Sequence, residues 1–292
     1  MVRRTYVASL WFALFCVPIA YSQEQSTPAK SAETNRGQRT AVSLEQMVIV
    51  EEGQLPILIS APHGGLLKIP NVDPRQGVGM EKGPSGFFAG RDGGTEELAK
   101  DVIEAIEMQL GRKPYSVISS VDRKYLDPNR PPEIAYEDVD AKPVYDRYHD
   151  SMLSHCRSIL NEYHSGLLLD IHGQGSKRDT VFRGTSNGKT VSRIREQFGD
   201  SAHTGESSLF GLLKEQGWTV FPDPYDGKEQ SGVTGGHIVR TYGSHQASGI
   251  DAVQLEFGAE YRTKANRKKI AEQLATAVAQ YAKLYLRMPE AR

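Results

Sequence analysis

Apolar runs and helical periodicities alternate along this chain. PILIS (56–60), YSVISS (115–120), LLLDI (167–171), WTVF (218–221) and DAVQLEF (251–257) are short, rich in branched or aromatic residues, and read as buried strands. Between them Leu98, Val102, Ile103, Ile106 and Leu110 recur at helical spacing over Glu97 to Leu110. Tyr148, Met152, Cys156, Ile159 and Tyr163 do the same over Val144 to Tyr163, and a closing helix repeats Ile270, Leu274, Ala277, Tyr281 and Leu284. Such alternation predicts an α/β layered domain with a mixed, mostly parallel sheet. Ligands in such folds gather at the carboxyl ends of the strands, so the residues just past each strand are the ones to inspect.

The first residues break this pattern. Arg3 and Arg4 form a basic start, Ala8 to Ala20 is an apolar run too short to span a bilayer comfortably, and Ala20-Tyr21-Ser22 supplies small residues at the positions a signal peptidase reads. This predicts a signal peptide over 1–22, cleaved after Ser22, and a mature protein exported to the periplasm or beyond, without stable membrane insertion. The alternative is an uncleaved N-terminal anchor. Residues 23–42 are polar, lack aromatics and read as a disordered linker; a single domain over 43–292 follows.

Composition narrows the partners and the chemistry. The 292 residues carry a formal net charge of −1, which gives no electrostatic reason to expect a nucleic acid or an acidic membrane. Small molecules or peptides are the expected substrates. After cleavage Cys156 is the sole cysteine, so neither an intramolecular disulfide nor a cysteine-based zinc site is available. Any metal must then be held by histidines and carboxylates.

Four strand ends carry polar residues. APHGG places His63 after the first run, VDRKYLDPNRPP places Arg123, Asn129 and Arg130 after the second, LLLDIHGQG ends in His172, and DAVQLEFG contains Glu256. A catalytic zinc site commonly takes two histidines and a carboxylate and leaves a fourth position for water. His63 and His172 supply the imidazoles. GRDGGTEELAK offers Asp92, Glu96 and Glu97 for the carboxylate; Glu96 is favoured, because Asp92 has a ready alternative role as the cap of the helix that follows. Asp170, two residues before His172, points to the same face of its strand and is placed to orient the ring.

Glu256 sits in a run that otherwise reads as core. Burial raises a carboxyl pKa, which suits a general base taking a proton from water. Arg130 with Asn129 matches a substrate carboxylate, and Arg123 is placed to polarise a scissile carbonyl. GGHIVRTYG contributes His237, Arg240 and Tyr242 to a glycine-flanked segment that reads as a substrate-covering loop.

At these residues the chain resembles the N-formylglutamate amidohydrolase family. The resemblance rests on ISAPHGG, DGGTEEL, SSVDRKYLDPNRPP, YDRYH (145–149) and LLLDIHGQG, in that order over residues 56 to 175, with VQLEFG as a later piece. It implies a three-layer, phosphorylase/hydrolase-like α/β sandwich shared with zinc carboxypeptidases, one Zn²⁺ per chain, and cleavage of an amide bond beside a free carboxylate. It further implies His63, His172 and an acid of DGGTEEL as ligands, Asn129-Arg130 as the carboxylate grip and Glu256 as the base. PHGG and DIHG stand where the family more usually has PHSG and DxHS, and the familiar members act in the cytosol. The reaction class therefore carries over better than the substrate.

Two rivals differ in class. One is an exported binding protein that keeps the fold without catalysis; the other is an esterase or deacetylase using the same zinc. A serine hydrolase is disfavoured because G-x-S-x-G does not occur, and GQGS lacks the Lys-Ser/Thr ending of a phosphate loop.

Overall fold

A computed structural model describes residues 42–78 and 86–290. The expected signal peptide lies outside the described residues, as does the expected linker up to residue 41. Among the described residues no helix is long and apolar enough to cross a membrane.

Seven strands form one sheet: β1 (Val48–Glu51), β2 (Ile57–Ala61), β3 (Tyr115–Ser119), β4 (Leu167–Gly173), β5 (Thr180–Gly184), β6 (Thr219–Phe221) and β7 (Asp251–Phe257). Their order is β1-β3-β2-β4-β7-β5-β6. The centre, β3-β2-β4-β7, is parallel, while β1 pairs antiparallel with β3 and β5 antiparallel with β7. The expected three-layer α/β sandwich with a mixed, mostly parallel sheet is the architecture observed.

The central strands are covered on both sides, which explains their near-continuous apolar runs. On one face Ile57, Ile59, Leu169 and Leu255 pack with Leu98 and Val102 of the Thr95–Leu110 helix and Leu274 and Val278 of the Arg267–Tyr285 helix. On the other, Leu58, Val117 and Leu168 meet Tyr148, Met152, Cys156 and Ile159 of the Lys142–Tyr163 helix. Each fully buried leucine of these clusters contributes roughly 1.5–3 kcal/mol relative to exposure.

The strand register places the polar residues. Ser60 lies opposite Asp170, Asp170 opposite Gln254, and His172 opposite Glu256. With a side-chain period of two, all five project from one face, in two rows at the carboxyl ends of β2, β4 and β7.

Two strands and one helix differ from expectation. β1 and β5 were not among the predicted runs, and β5 contains Arg183, buried to 2% exposure beside Glu229 at 3.3 Å. His237–Tyr242 is a short helix rather than a covering loop; the side-chain oxygen of Asn129 accepts its Ile238 N–H at 2.9 Å.

Candidate metal centre

Three side-chain atoms converge at these strand ends. His63 Nδ1 lies 3.2 Å from His172 Nδ1, and Asp92 Oδ2 is 3.4 Å from each. A tetrahedral ion bound at about 2.0–2.1 Å separates its ligand atoms by roughly 3.3–3.4 Å. The triangle thus fits a metal, and all three residues are buried. A buried His-Asp-His cluster of this kind could bind a metal ion.

The far nitrogen of each ring is held by an acid. His63 Nε2 donates to Asp127 Oδ1 at 2.6 Å, and His172 Nε2 to Asp170 Oδ2 at 2.8 Å. These bonds put the protons on Nε2 and turn both Nδ1 atoms toward Asp92, the arrangement that fixes ring orientation and raises ligand basicity. Ser60 Oγ donates to the other oxygen of Asp170 at 2.6 Å. Asp127 also accepts Nε and Nη2 of Arg123, both at 2.9 Å, and the Asn129 N–H at 3.0 Å. Burial works to raise the Asp127 carboxyl, but His63 and Arg123 hold it well below the usual carboxylate range.

Asp127 escaped the sequence analysis, although it heads the DPNRPP stretch. An acid followed by Pro reads as a turn starter, and its side chain does accept the Asn129 N–H, while the same carboxylate holds His63. Asp127→Asn is expected to weaken zinc binding by roughly 10- to 100-fold while the fold persists. Competition with a colorimetric chelator measures this, and unchanged affinity would show that Asp127 does not orient His63.

Asp92, not Glu96, is the carboxylate beside the imidazoles. The helix cap that had disfavoured Asp92 is Gly94, in the left-handed conformation at φ 87° with no side-chain cap. The backbone carbonyl of Asp92 accepts Thr95 N–H and Oγ1, which leaves its carboxylate free to accept the Gly173 N–H at 3.1 Å and face the rings. Glu96 lies in the first helical turn, where Ser120 Oγ (2.9 Å) and Lys100 Nζ (2.7 Å) engage it. Glu97, the third alternative, is likewise absent from the cluster. The paired glycines of PHGG serve close approach: a side chain on Gly64 would strike the Glu96 backbone, and one on Gly65 the Ser120 carbonyl.

Beside the triangle opens a cavity of about 460 Å³, bordered by Phe88, Arg91, Arg130 and Glu256 as well as the three cluster residues. Small-molecule sites are commonly of this size. Burial pushes the Glu256 carboxyl above its ordinary range, and Gln254 Nε2 steadies it with a 2.8 Å hydrogen bond. Gln254 in turn accepts the Gly236 N–H at 2.6 Å, which ties the acid to the glycine wall opposite.

The other expected site residues divide. Arg123 and Asn129 border the cavity but are engaged, Arg123 with Asp127 and Asn129 with the Ile238 N–H. Arg130 borders it with one long hydrogen bond among the described residues, to the Asn129 carbonyl at 3.4 Å. His237, Arg240 and Tyr242 are not among the lining residues. Arg240 is exposed, and the Tyr242 hydroxyl turns inward to His149 at 2.8 Å. Arg262, not anticipated, also borders the cavity; it donates to the carbonyls of Phe257, Gly93 and Gln174 and so staples the surrounding loops.

No family model matches the chain, and no curated protein matches it. Among solved structures, a gene product from Agrobacterium tumefaciens superposes with a TM-score of 0.53 at 16% identity, over 82% of this chain and 95% of its own. N-formylglutamate amidohydrolase from Ralstonia eutropha JMP134 superposes with a TM-score of 0.51 at 14% identity, over 82% of this chain and 97% of its own. At these identities the likeness is one of fold. In fold, then, the chain resembles the N-formylglutamate amidohydrolase family along nearly the whole length of that relative.

Proposed function

We propose that this chain is an exported, metal-dependent amidohydrolase acting on a small substrate with a free carboxylate, such as an N-acyl amino acid or a peptide. The observation that carries this is the buried triangle of His63, Asp92 and His172 with Glu256 at the same cavity. The fold shared with N-formylglutamate amidohydrolase supports it.

Held by His63, Asp92 and His172, one divalent ion, zinc by the nature of the donors, would polarise the scissile carbonyl and acidify a water. Glu256, made more basic by burial, takes the proton of the attacking water and returns it to the leaving nitrogen. Asp127 and Asp170 keep the Nε2 protons in place so that both Nδ1 atoms stay available. Arg123 braces Asp127 through Nε and Nη2, and its Nη1, 3.6 Å from Asp92 Oδ1 at the cavity border, adds positive charge where charge develops on the carbonyl oxygen. Arg130, whose one hydrogen bond among the described residues is long, offers its guanidinium donors to the substrate carboxylate, with Asn129 lining the same cavity. The near-neutral charge supports a small molecule or peptide as partner, not a nucleic acid.

Turnover of N-acyl amino acids and short peptides, each beside its C-terminal amide, tests this reading. Free acids are expected to be favoured roughly 10- to 100-fold, the worth of a charge-assisted carboxylate contact. Dialysis against a chelator should abolish turnover and zinc should restore it. Activity indifferent to chelation, or equal cleavage of acids and amides, would contradict the reading.

A further inference from the structure

The YDRYH stretch takes no part in the chemistry above, yet it touches the loop that carries Arg130. Tyr145 and His149 are four residues apart on the Lys142–Tyr163 helix and so share a face. Tyr145 Oη donates to the Arg130 carbonyl at 2.9 Å, and His149 Nε2 meets the Pro128 carbonyl at 3.0 Å. A carbonyl only accepts, so His149 carries its proton on Nε2, and its Nδ1 accepts from the Tyr242 hydroxyl at 2.8 Å. Burial pushes the imidazole down to about 4, which keeps this neutral tautomer across the physiological range. The Tyr145 and His149 rings lie 4.2 Å apart between centroids, and His149 stacks on Tyr242 at an interplanar angle of 24°.

The two bonds bracket the Asn129-Arg130 pair. They fix the peptide plane before Asn129 and the one after Arg130, while the Asp127 carbonyl accepts the Arg130 N–H at 3.2 Å. Arg130 is thereby launched into the cavity from a backbone with little freedom, although its own side chain is barely held.

We propose that Tyr145 and His149 are positioning residues, a clamp that sets the direction of Arg130 and so the preference of the cavity for a carboxylate. The inference rests on the carboxylate-binding reading of Arg130 given above. It assigns Tyr242 a part as the brace of His149, behind the cavity wall.

Calorimetric titration of the zinc-loaded protein with N-acetyl-L-alanine and with its C-terminal amide reads the effect directly. The wild type is expected to favour the acid, and Arg130→Ala to lose that preference. Tyr145→Phe should lower the acid-over-amide ratio by roughly 3- to 10-fold, the worth of one lost hydrogen bond, with zinc content unchanged. His149→Ala should lower it at least as far. His149→Gln should recover most of it, because an amide N–H can still reach the Pro128 carbonyl. If Arg130→Ala loses the preference while Tyr145→Phe and His149→Ala keep it, the clamp is wrong and the carboxylate reading stands. If the wild type itself prefers neither probe, that reading fails and the clamp falls with it. Loss of zinc in step with the ratio would also overturn the inference, since the pair would then support the metal centre.

Discussion

Glu256→Gln is expected to lower turnover by roughly 10²- to 10⁴-fold while the protein keeps its metal and its fold, the effect of removing a general base. The substitution is nearly isosteric, and its amide oxygen can still accept the Gln254 Nε2–H that now meets Glu256 at 2.8 Å. Folding is also spared the desolvation that burial imposes on the Glu256 carboxylate, so stability should hold or rise slightly. The informative comparison sets kcat against KM. A base acts only as the bond breaks, so kcat should fall with KM little changed. Steady-state kinetics on zinc-loaded protein checks this, and a variant with wild-type kcat and normal zinc content would remove Glu256 from the chemistry.

The second large effect separates the acids of DGGTEEL. Asp92→Asn should reduce zinc affinity by more than the roughly 10- to 100-fold expected for a residue that merely orients a ligand, because a neutral amide oxygen replaces an anionic donor. The Gly173 N–H keeps an acceptor in that variant, so the loop is expected to stay closed. Glu96→Gln should leave zinc binding as it was, since among the described residues the Glu96 carboxylate meets Ser120 Oγ and Lys100 Nζ and not the imidazoles. Its effect should be confined to a slight loss of stability at the start of the Thr95–Leu110 helix, where the charge complements the helix dipole. Reversed outcomes for the two variants would show that the carboxylates trade places when metal enters.

Much of this arrangement is visible in the sequence because parallel strands advertise themselves. β2, β3, β4 and β7 are covered on both faces, so their sequences are largely apolar, and in β2, β4 and β7 the polar residues near the carboxyl ends belong to the site. His172 and Glu256 interrupt such runs, and the rule that sites form at carboxyl ends of strands brings them to one place. β5 was illegible for the opposite reason: Arg183 breaks its apolar pattern, and the partner that makes its burial tolerable, Glu229, lies 46 residues further on. Asp92 was misjudged because spacing alone cannot distinguish an acid that caps a helix from one whose carbonyl does so. The separating feature is the pair Gly93-Gly94, which lets the chain turn so that the backbone makes the cap and the side chain is released. Tyr242 misled similarly. It lies close in sequence to the cavity-lining Gly235 and Gly236, but the short helix turns its hydroxyl toward His149, behind the wall.

The central claim is a metal held by His63, Asp92 and His172, and elemental analysis of the purified protein after exposure to zinc tests it most directly. About one zinc per chain is expected for the wild type and for Glu96→Gln, and a marked loss for Asp92→Asn. A wild-type protein that remains metal-free after zinc is supplied would contradict the account, as would an Asp92→Asn variant that holds its zinc as tightly as the wild type.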